Sequence, residues 1–445
     1  MVWGAWRRRR RSSLHAHAGS QLRRRQEFEL VLWGVPLAMV AISSLLILSI
    51  ERQDALEGWS SFSFSLLGLL QFINSQLWLS QLATALFGIV VALLLAKFRL
   101  ERFKPLLLPI YITTVISLIA VKVIGTSALG AQRWISIGPF NIQPSEFAKL
   151  SAILLLAAVL DRFPVERPVD LLRPLGVISI PWALVFIQPD LGTSLVFGAM
   201  LLTMLYWSGM PFEWLVLLLS PLVTALVSGL IPWALALWVP LIVLIAYRSL
   251  PWKRMASAFV LIVQATVAGI TPWLWMHGLK DYQRDRLVLF LDPGKDPLGG
   301  GYHLLQSTVG IGSGGLFGTG LLQGQLTKLR FIPEQHTDFI FSALGEEVGY
   351  LGTVLLVIGF ALLMTRLVQV ANRARTDFES LMVIGVATMV MFQAVVNIFM
   401  TIGLGPITGI PLPFMSYGRF AMVVNFIALG LCLSVARRGR QQQLR

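Results

Sequence analysis

Apolar residues in this chain run in stretches of about twenty, the length a helix needs to cross a hydrocarbon core. Twelve stretches can be marked, at approximately 28–50, 77–96, 104–124, 146–160, 174–189, 191–208, 213–231, 232–248, 256–276, 338–365, 380–403 and 420–436. The pattern predicts a helix for each, because unpaired backbone in lipid is too costly for anything but helices or closed barrels. A barrel would need many short strands of alternating polarity, and the chain shows no such series. The expected fold class is therefore all-α, a polytopic transmembrane bundle of 10–12 spans with a long external loop before the last three. The least distinct pair is 213–231 and 232–248, which share one apolar stretch around Pro232. Losing both would keep the parity of the span count, whereas losing one would reverse it.

Composition agrees with this pattern. Of 445 residues, 56% are hydrophobic and 13% charged, about half the charged fraction of a soluble domain. Net charge is +14, but the arginines cluster at Arg7 to Arg11, at Arg23 to Arg25 and in the C-terminal tail, all flanking apolar spans. That is the positive-inside distribution and not a nucleic-acid stripe. With the N-terminus inside, 25 of the 36 Lys and Arg fall on inner segments, which favours an even span count and cytoplasmic termini. The run Phe28 to Ile50 is too long for a signal-peptide core and has no small-residue cleavage site after it, so it reads as a retained first span. The one cysteine, Cys432, lies in the last apolar run and allows no internal disulfide. The expected organisation is a cytoplasmic Arg-rich tail over 1–27, a membrane domain over 28–436 and a second tail over 437–445.

Two outer segments stand out. One is Gly125 to Ser145. The other is the 61-residue stretch His277 to Thr337, which holds 12 of the 38 glycines and is far longer than a connection requires. Long ordered loops tend to carry function. Within it, Asp296 in LDPGKDPLGGGYH combines a proline-stiffened turn with glycines that allow close backbone approach. Such a carboxylate could act as general base towards a sugar hydroxyl; on spacing alone a solvated turn explains Asp296 and Asp292 more simply. Glu146 and Lys149 stand at i and i+3 at the start of the fourth span. They read either as a cavity-facing pair or as a helix-start acid with a snorkelling lysine. QPD at 188–190 breaks an apolar stretch and reads as a tight turn with Asp190 near a helix N-terminus. EQHTDF at 334–339, with Glu346 and Glu347, gathers acids and His336, yet His303 and His336 lack metal-ligand spacing, so no protein-ligated zinc is expected. A Mg²⁺ or similar divalent cation held mainly by phosphate oxygens stays open. GIGSGG at 310–315 matches GxGxxG but follows no strand, so a dinucleotide site is rejected. Arg133, Lys280, Arg284, Arg286, Lys328 and Arg330 lie on the outer side against the general charge bias, and together could hold a diphosphate.

Five blocks in order resemble the SEDS family (shape, elongation, division and sporulation) of bacterial peptidoglycan polymerases. They are GAQRWISIGPFNIQPSEFAKL at 130–150, QPDLGTS at 188–194, DYQRDRLVLFLDPGKDPLGGGYHLLQS at 281–307, FIPEQHTDFIFSALGEEVGYLG at 331–352 and NIFMTIGLGPITGIPLPFMSYG at 397–418. The segment HGLKDYQRDR looks more like the RodA (elongation) branch than the FtsW (division) branch. The resemblance implies a SEDS-type bundle in the bacterial cytoplasmic membrane and a glycosyltransferase acting on lipid II. It also implies a class B penicillin-binding protein as transpeptidase partner. It implies Asp296 as the essential loop aspartate, Glu146 and Lys149 as the paired acid and lysine, and substrate contacts among Arg133, Arg284, Arg286, Gln306, Ser307, His336, Asp338 and Ser416. Two features depart from the family pattern: a probable extra helix pair within 210–256, and Arg419-Phe420 where small residues usually follow SYG.

The mechanism expected from the resemblance is one inverting displacement: a base on the acceptor hydroxyl and cations on the leaving diphosphate. Alternatives are a lipid II flippase and a scaffold of the elongation machinery. No clear internal repeat is visible, and the chemistry-capable groups collect on one face, which favours the enzyme.

Overall fold

Each of the twelve apolar stretches forms a helix in the computed structural model, which describes residues 21–51, 75–128, 131–137, 140–188, 190–277, 296 and 301–442. In chain order these are α1 (Gln21–Ile50), α2 (Leu77–Leu95), α3 (Leu107–Ile124), α4 (Pro144–Arg162), α5 (Leu172–Ile187) and α6 (Leu191–Ser208). There follow α7 (Phe212–Leu230), α8 (Leu235–Ser249), α9 (Lys253–His277), a shorter α10 (Tyr302–Ser313), α11 (Ile340–Asn372), α12 (Asp377–Thr401) and α13 (Arg419–Gln442). Eleven helices among the described residues are long and apolar enough to cross a membrane. The remaining long one, α4, carries Glu146, Lys149, Asp161 and Arg162, and buries most of its surface in the bundle instead of presenting it to lipid.

The bundle is organised around α12 and α13. In each, 72% of the apolar window is buried, against 6% in α9. Helix α12 packs against α4, α6 and α11, and α13 packs against α2. Small residues set these distances, as expected where packing and not hydrophobicity drives association in lipid. A Cβ at Gly430 of α13 would meet the Ala92 backbone at 2.6 Å, and one at Gly385 of α12 would meet Ile153 at 2.6 Å.

The pair around Pro232 is real: Pro232 opens a short 3₁₀ turn, Pro232–Ala234, between α7 and α8. Together with α9 these helices form a three-helix unit that packs mainly on itself. Its interior is polar. Gln264 donates to Ser220 Oγ at 2.6 Å, Trp238 donates to Thr224 Oγ1 at 2.9 Å, and Thr224 also bonds to Gln264. Interhelical polar bonds of this kind hold helices together where lipid offers no alternative partner.

The segment Gly125 to Ser145 holds a structure that the span pattern did not predict. Three short strands, β1 (Thr126–Ala128), β2 (Ala131–Ile137) and β3 (Phe140–Ile142), pair antiparallel in the order β1-β2-β3. The alternation Trp134-Ile135-Ser136-Ile137 followed by Gly138-Pro139 is a hairpin signal, overshadowed by the strong helical spans on either side.

The second outer segment is partly helical. Gly310 to Gly315, the rejected dinucleotide match, closes α10 against α11: a Cβ at Gly314 would sit 1.9 Å from the Gly345 carbonyl. Helix α11 is interrupted there. Gly349 takes φ 75° and ψ −169°, and Tyr350 N–H donates to the Gly315 carbonyl at 2.9 Å. The carboxylates of Glu346 and Glu347 cap the adjoining loop. Glu346 accepts from Leu326 N–H at 2.8 Å and Thr327 N–H at 2.9 Å, and Glu347 accepts from Leu322 N–H at 3.0 Å. These two acids thus satisfy backbone donors that would otherwise be stranded.

Candidate active site

Four helices begin at one cavity. Its volume is about 430 Å³, and its lining includes Glu146 of α4, Asp190 and Thr193 of α6, Thr337 and Asp338 ahead of α11, and Arg419 to Ala421 of α13. Arg133 and Trp134 of β2, Asn141 of β3, Glu334, Pro411 and Tyr417 are among the other residues of the wall. A helix N-terminus carries a partial positive charge, and here four of them meet a wall that also carries the carboxylates Glu146, Asp190, Glu334 and Asp338 and the arginines Arg133 and Arg419.

Local sequence places each group. Pro144 occupies the first turn of α4, where a missing N–H costs nothing, and puts Glu146 in that turn. Lys149 follows one turn later and donates to Glu146 Oε1 at 2.8 Å; the lysine side chain is 1% exposed and the glutamate side chain 4%. Glu146 faces the cavity while Lys149 lies behind it, outside the lining. Both members must be present for a buried pair to be tolerable.

Asp190 N-caps α6, accepting from Thr193 N–H at 3.1 Å and Thr193 Oγ1 at 2.9 Å. The turn read from QPD is therefore present, and the same side chain also lines the cavity. Gly192 lets this helix start approach the segment before α13: a Cβ there would meet the Thr408 carbonyl at 2.7 Å. Asn397 of α12, fully buried, donates to the carbonyls of Asp338 and Ile410, both at 2.8 Å. It thereby ties two walls of the cavity together. Ser416 Oγ accepts from Leu412 N–H at 2.7 Å, which shapes the turn leading to Tyr417.

His336 sits in the turn before α11, outside the spans. Its carbonyl accepts from Tyr417 N–H at 2.8 Å, and its ring lies 5.8 Å from the Tyr417 ring. Burial pushes its pKa below the ordinary imidazole value; Glu334 opposes the shift and Arg330 adds to it.

Of the residues expected at the site, Glu146, Arg133 and Asp338 line the cavity, and Lys149, His336 and Ser416 support it from behind. Ser307 lies in α10, where its hydroxyl donates to the Thr401 carbonyl at 2.7 Å and bonds to Ser342; Gln306 is its half-buried neighbour. Asp296 is exposed, outside the cavity lining, and its carbonyl accepts from Gly301 N–H at 3.0 Å at the start of α10. Arg284 and Arg286 lie outside the described residues. Trp134, Asn141, Glu334, Tyr417 and Arg419 also line the cavity; they come from two strands, a turn and a helix start, and no pattern within one segment marks them in the sequence. Among the described residues no group of three or more His, Cys, Asp or Glu is arranged to hold a metal ion.

The chain is thus a polytopic helix bundle with a polar cavity, lined by four acids and two arginines, at the start of four of its helices. The chain matches the family described as cell cycle protein (FtsW, RodA, SpoVE) over residues 59–238 and 233–441, and it belongs to that family. It is 34% identical over 356 residues to the peptidoglycan glycosyltransferase MrdB of Escherichia coli strain K12, covering 78% of this chain and 82% of that protein. It is 34% identical over 399 residues to the peptidoglycan glycosyltransferase RodA of Treponema pallidum, covering 82% and 91%. Among solved structures it resembles a chain from a peptidoglycan synthase complex described as coordinating polymerization and crosslinking, with TM-score 0.66, 26% identity, and 92% and 98% of the two chains covered. The RodA of Thermus thermophilus matches with TM-score 0.57 and 25% identity over 92% and 96%. Within the family the chain is of RodA type.

Proposed function

We infer that the chain is a peptidoglycan glycosyltransferase of the elongation type, a hexosyltransferase that builds glycan strands at the membrane. The observation that carries this reading is the convergence of four helix N-termini and two arginines on an acid-lined cavity, in a chain 34% identical to named peptidoglycan glycosyltransferases. The substrate is lipid II, whose diphosphate suits the positive helix ends and whose hydroxyls suit the carboxylates.

The reaction is one inverting displacement. The acceptor sugar hydroxyl attacks the anomeric carbon of the donor, the carbon–oxygen bond to the diphosphate breaks, and the diphosphate leaves as an anion. Asp296 takes the hydroxyl proton. Arg133 and the helix N-termini take up the charge that develops on the leaving group. Lys149 holds Glu146 in place through its 2.8 Å bond, and Glu146 orients a substrate hydroxyl from the cavity wall. Asp296 stands five residues before Gly301, where α10 begins, and α10 packs on α11 and α12, so the base is attached to the same bundle that forms the cavity.

Both termini lie in the cytoplasm, as the 25 of 36 basic residues on alternate segments favour. The cavity then faces the outer surface, where α4, α6, α11 and α13 all enter the membrane. A class B penicillin-binding protein supplies transpeptidation beside it. Residues 28–436 form the catalytic membrane domain, with 1–27 and 437–445 as cytoplasmic tails.

The test is incubation of the purified protein and its transpeptidase partner with labelled lipid II. Polymerised glycan supports the reading; translocation of lipid II across a vesicle without polymer contradicts it.

A further inference from the structure

Arg419 stands against its local environment. It opens α13, a helix whose first turn contains no acidic residue, and the dipole disfavours a cation there. A residue that breaks a local rule this way usually serves a site. Arg419 lines the cavity, and it and Arg133 are the two cations among the described lining residues.

Its guanidinium is held in a defined plane. Arg419 Nε donates to Tyr417 Oη at 3.0 Å. Tyr417 is itself fixed by its N–H bond to the His336 carbonyl at 2.8 Å and by Oη reaching Ser80 Oγ at 3.5 Å. The next residue, Phe420, packs on Phe147 of α4 with ring centroids 6.1 Å apart, next to Glu146 in sequence. The start of α13 is thereby pinned to the start of α4, and the planar fork of Arg419 is presented at the cavity. Such a fork matches phosphate oxygens two at a time.

The charge of the cavity narrows the ligand. Glu146 is neutralised by Lys149 at 2.8 Å, and Asp190 is engaged by the start of α6 at 3.1 Å. Glu334 and Asp338 also line the wall, so Arg133, Arg419 and the helix N-termini are the lining groups whose sign suits the two negative charges of a diphosphate diester.

We propose that Arg419 is a substrate-binding residue that, together with Arg133, grips the diphosphate of the lipid-linked sugar. The proposal rests on the glycosyltransferase reading above and adds a contact that none of the expected site residues provides.

The test uses the full chain in detergent, with binding of undecaprenyl diphosphate, undecaprenyl phosphate and inorganic pyrophosphate followed by tryptophan fluorescence, since Trp134 lines the cavity. Arg419→Gln is expected to weaken binding of both diphosphates about 10- to 100-fold, the loss for charge-assisted hydrogen bonds. The monophosphate is expected to be affected less, and Arg419→Lys to recover part of the loss. In polymerisation, KM for lipid II rises while kcat changes less. Equal diphosphate affinity in wild type and Arg419→Gln overturns the proposal and leaves the glycosyltransferase reading standing. Weakened lipid binding with unchanged pyrophosphate binding also overturns it, because the lost contact is then to the lipid. A wild-type chain that neither binds a diphosphate nor forms polymer overturns both. If Arg419→Gln does not fold, Arg419→Lys, which keeps the charge and loses the fork, decides the matter: unchanged affinity for the diphosphates contradicts the assignment.

Discussion

Lys149 Nζ lies 2.8 Å from Glu146 Oε1, one helical turn apart at the start of α4, and both side chains are almost wholly removed from solvent. Desolvating two charges is expensive, and an ion pair so placed is weak evidence for stability by itself. In the proposed reaction its place at the wall of the cavity lets the lysine hold the acid in position. Lys149→Ala is expected to destabilise the protein by about 3–5 kcal/mol, because Glu146 would be left as a buried unpaired charge. The double variant Glu146→Gln, Lys149→Met is expected to regain most of that stability and none of the activity. Thermal unfolding in detergent, read beside polymerisation, separates the two effects. Restored activity in the double variant would show the pair to be purely structural.

Asn397 joins the segment before α11 to the segment before α13 through two bonds of 2.8 Å. Asn397→Leu keeps the volume and removes both donors. The expected loss is about 2–6 kcal/mol, at roughly 1–3 kcal/mol for each carbonyl left without a partner. Substrate affinity should fall as well, since Asp338 and Ile410 lose their common tether. A stability change without any change in KM would mean that the cavity wall does not depend on this link.

Gly349 is the joint between α11 and the loop that crosses it. Its φ of 75° disfavours any side chain, and a Cβ would lie 2.2 Å from the Gly318 nitrogen. Gly349→Ala therefore combines backbone strain with a backbone clash and is expected to cost at least about 3 kcal/mol. Folding yield and unfolding temperature measure it.

His336 gives the fold a pH dependence. Burial lowers its pKa in the folded protein, so on acidification the unfolded chain takes up this proton first, near the ordinary value of about 6.5. Its contribution is fully present above that pH and is lost as pH falls from there through the folded value. Unfolding temperatures measured between pH 8 and pH 5 should drop more in wild type than in His336→Asn. Parallel curves would assign the acid sensitivity to other groups.

Much of this architecture was legible in the chain before folding. Apolar runs mark all twelve long helices because the bilayer imposes a length on each, and Pro232 marks the break between α7 and α8. Glu146 and Lys149 were visible as charges where charges are costly, and Asp190 as a turn residue. The three-stranded sheet was not predicted, since seven residues of alternation in β2 carry a weaker signal than the flanking spans. Arg419 was visible only as a residue out of pattern. Its neighbours Glu334, Thr193 and Trp134 come from positions far apart in sequence, and no periodicity within one segment records that four helix starts meet. Asp296 illustrates the converse: its turn chemistry is readable from Asp-Pro and the glycines, while its role follows from resemblance.

In the proposed reaction this bundle performs an inverting glycosyl transfer with Asp296 as the base. It is tested most directly by polymerisation of labelled lipid II by the purified protein with its transpeptidase partner, comparing wild type with Asp296→Asn. The unfolding temperature of the variant, measured beside its rate, tells loss of the base from loss of the fold. Loss of a general base predicts a rate lower by about a hundredfold or more. A folded Asp296→Asn protein that polymerises at a rate near wild type would contradict the account.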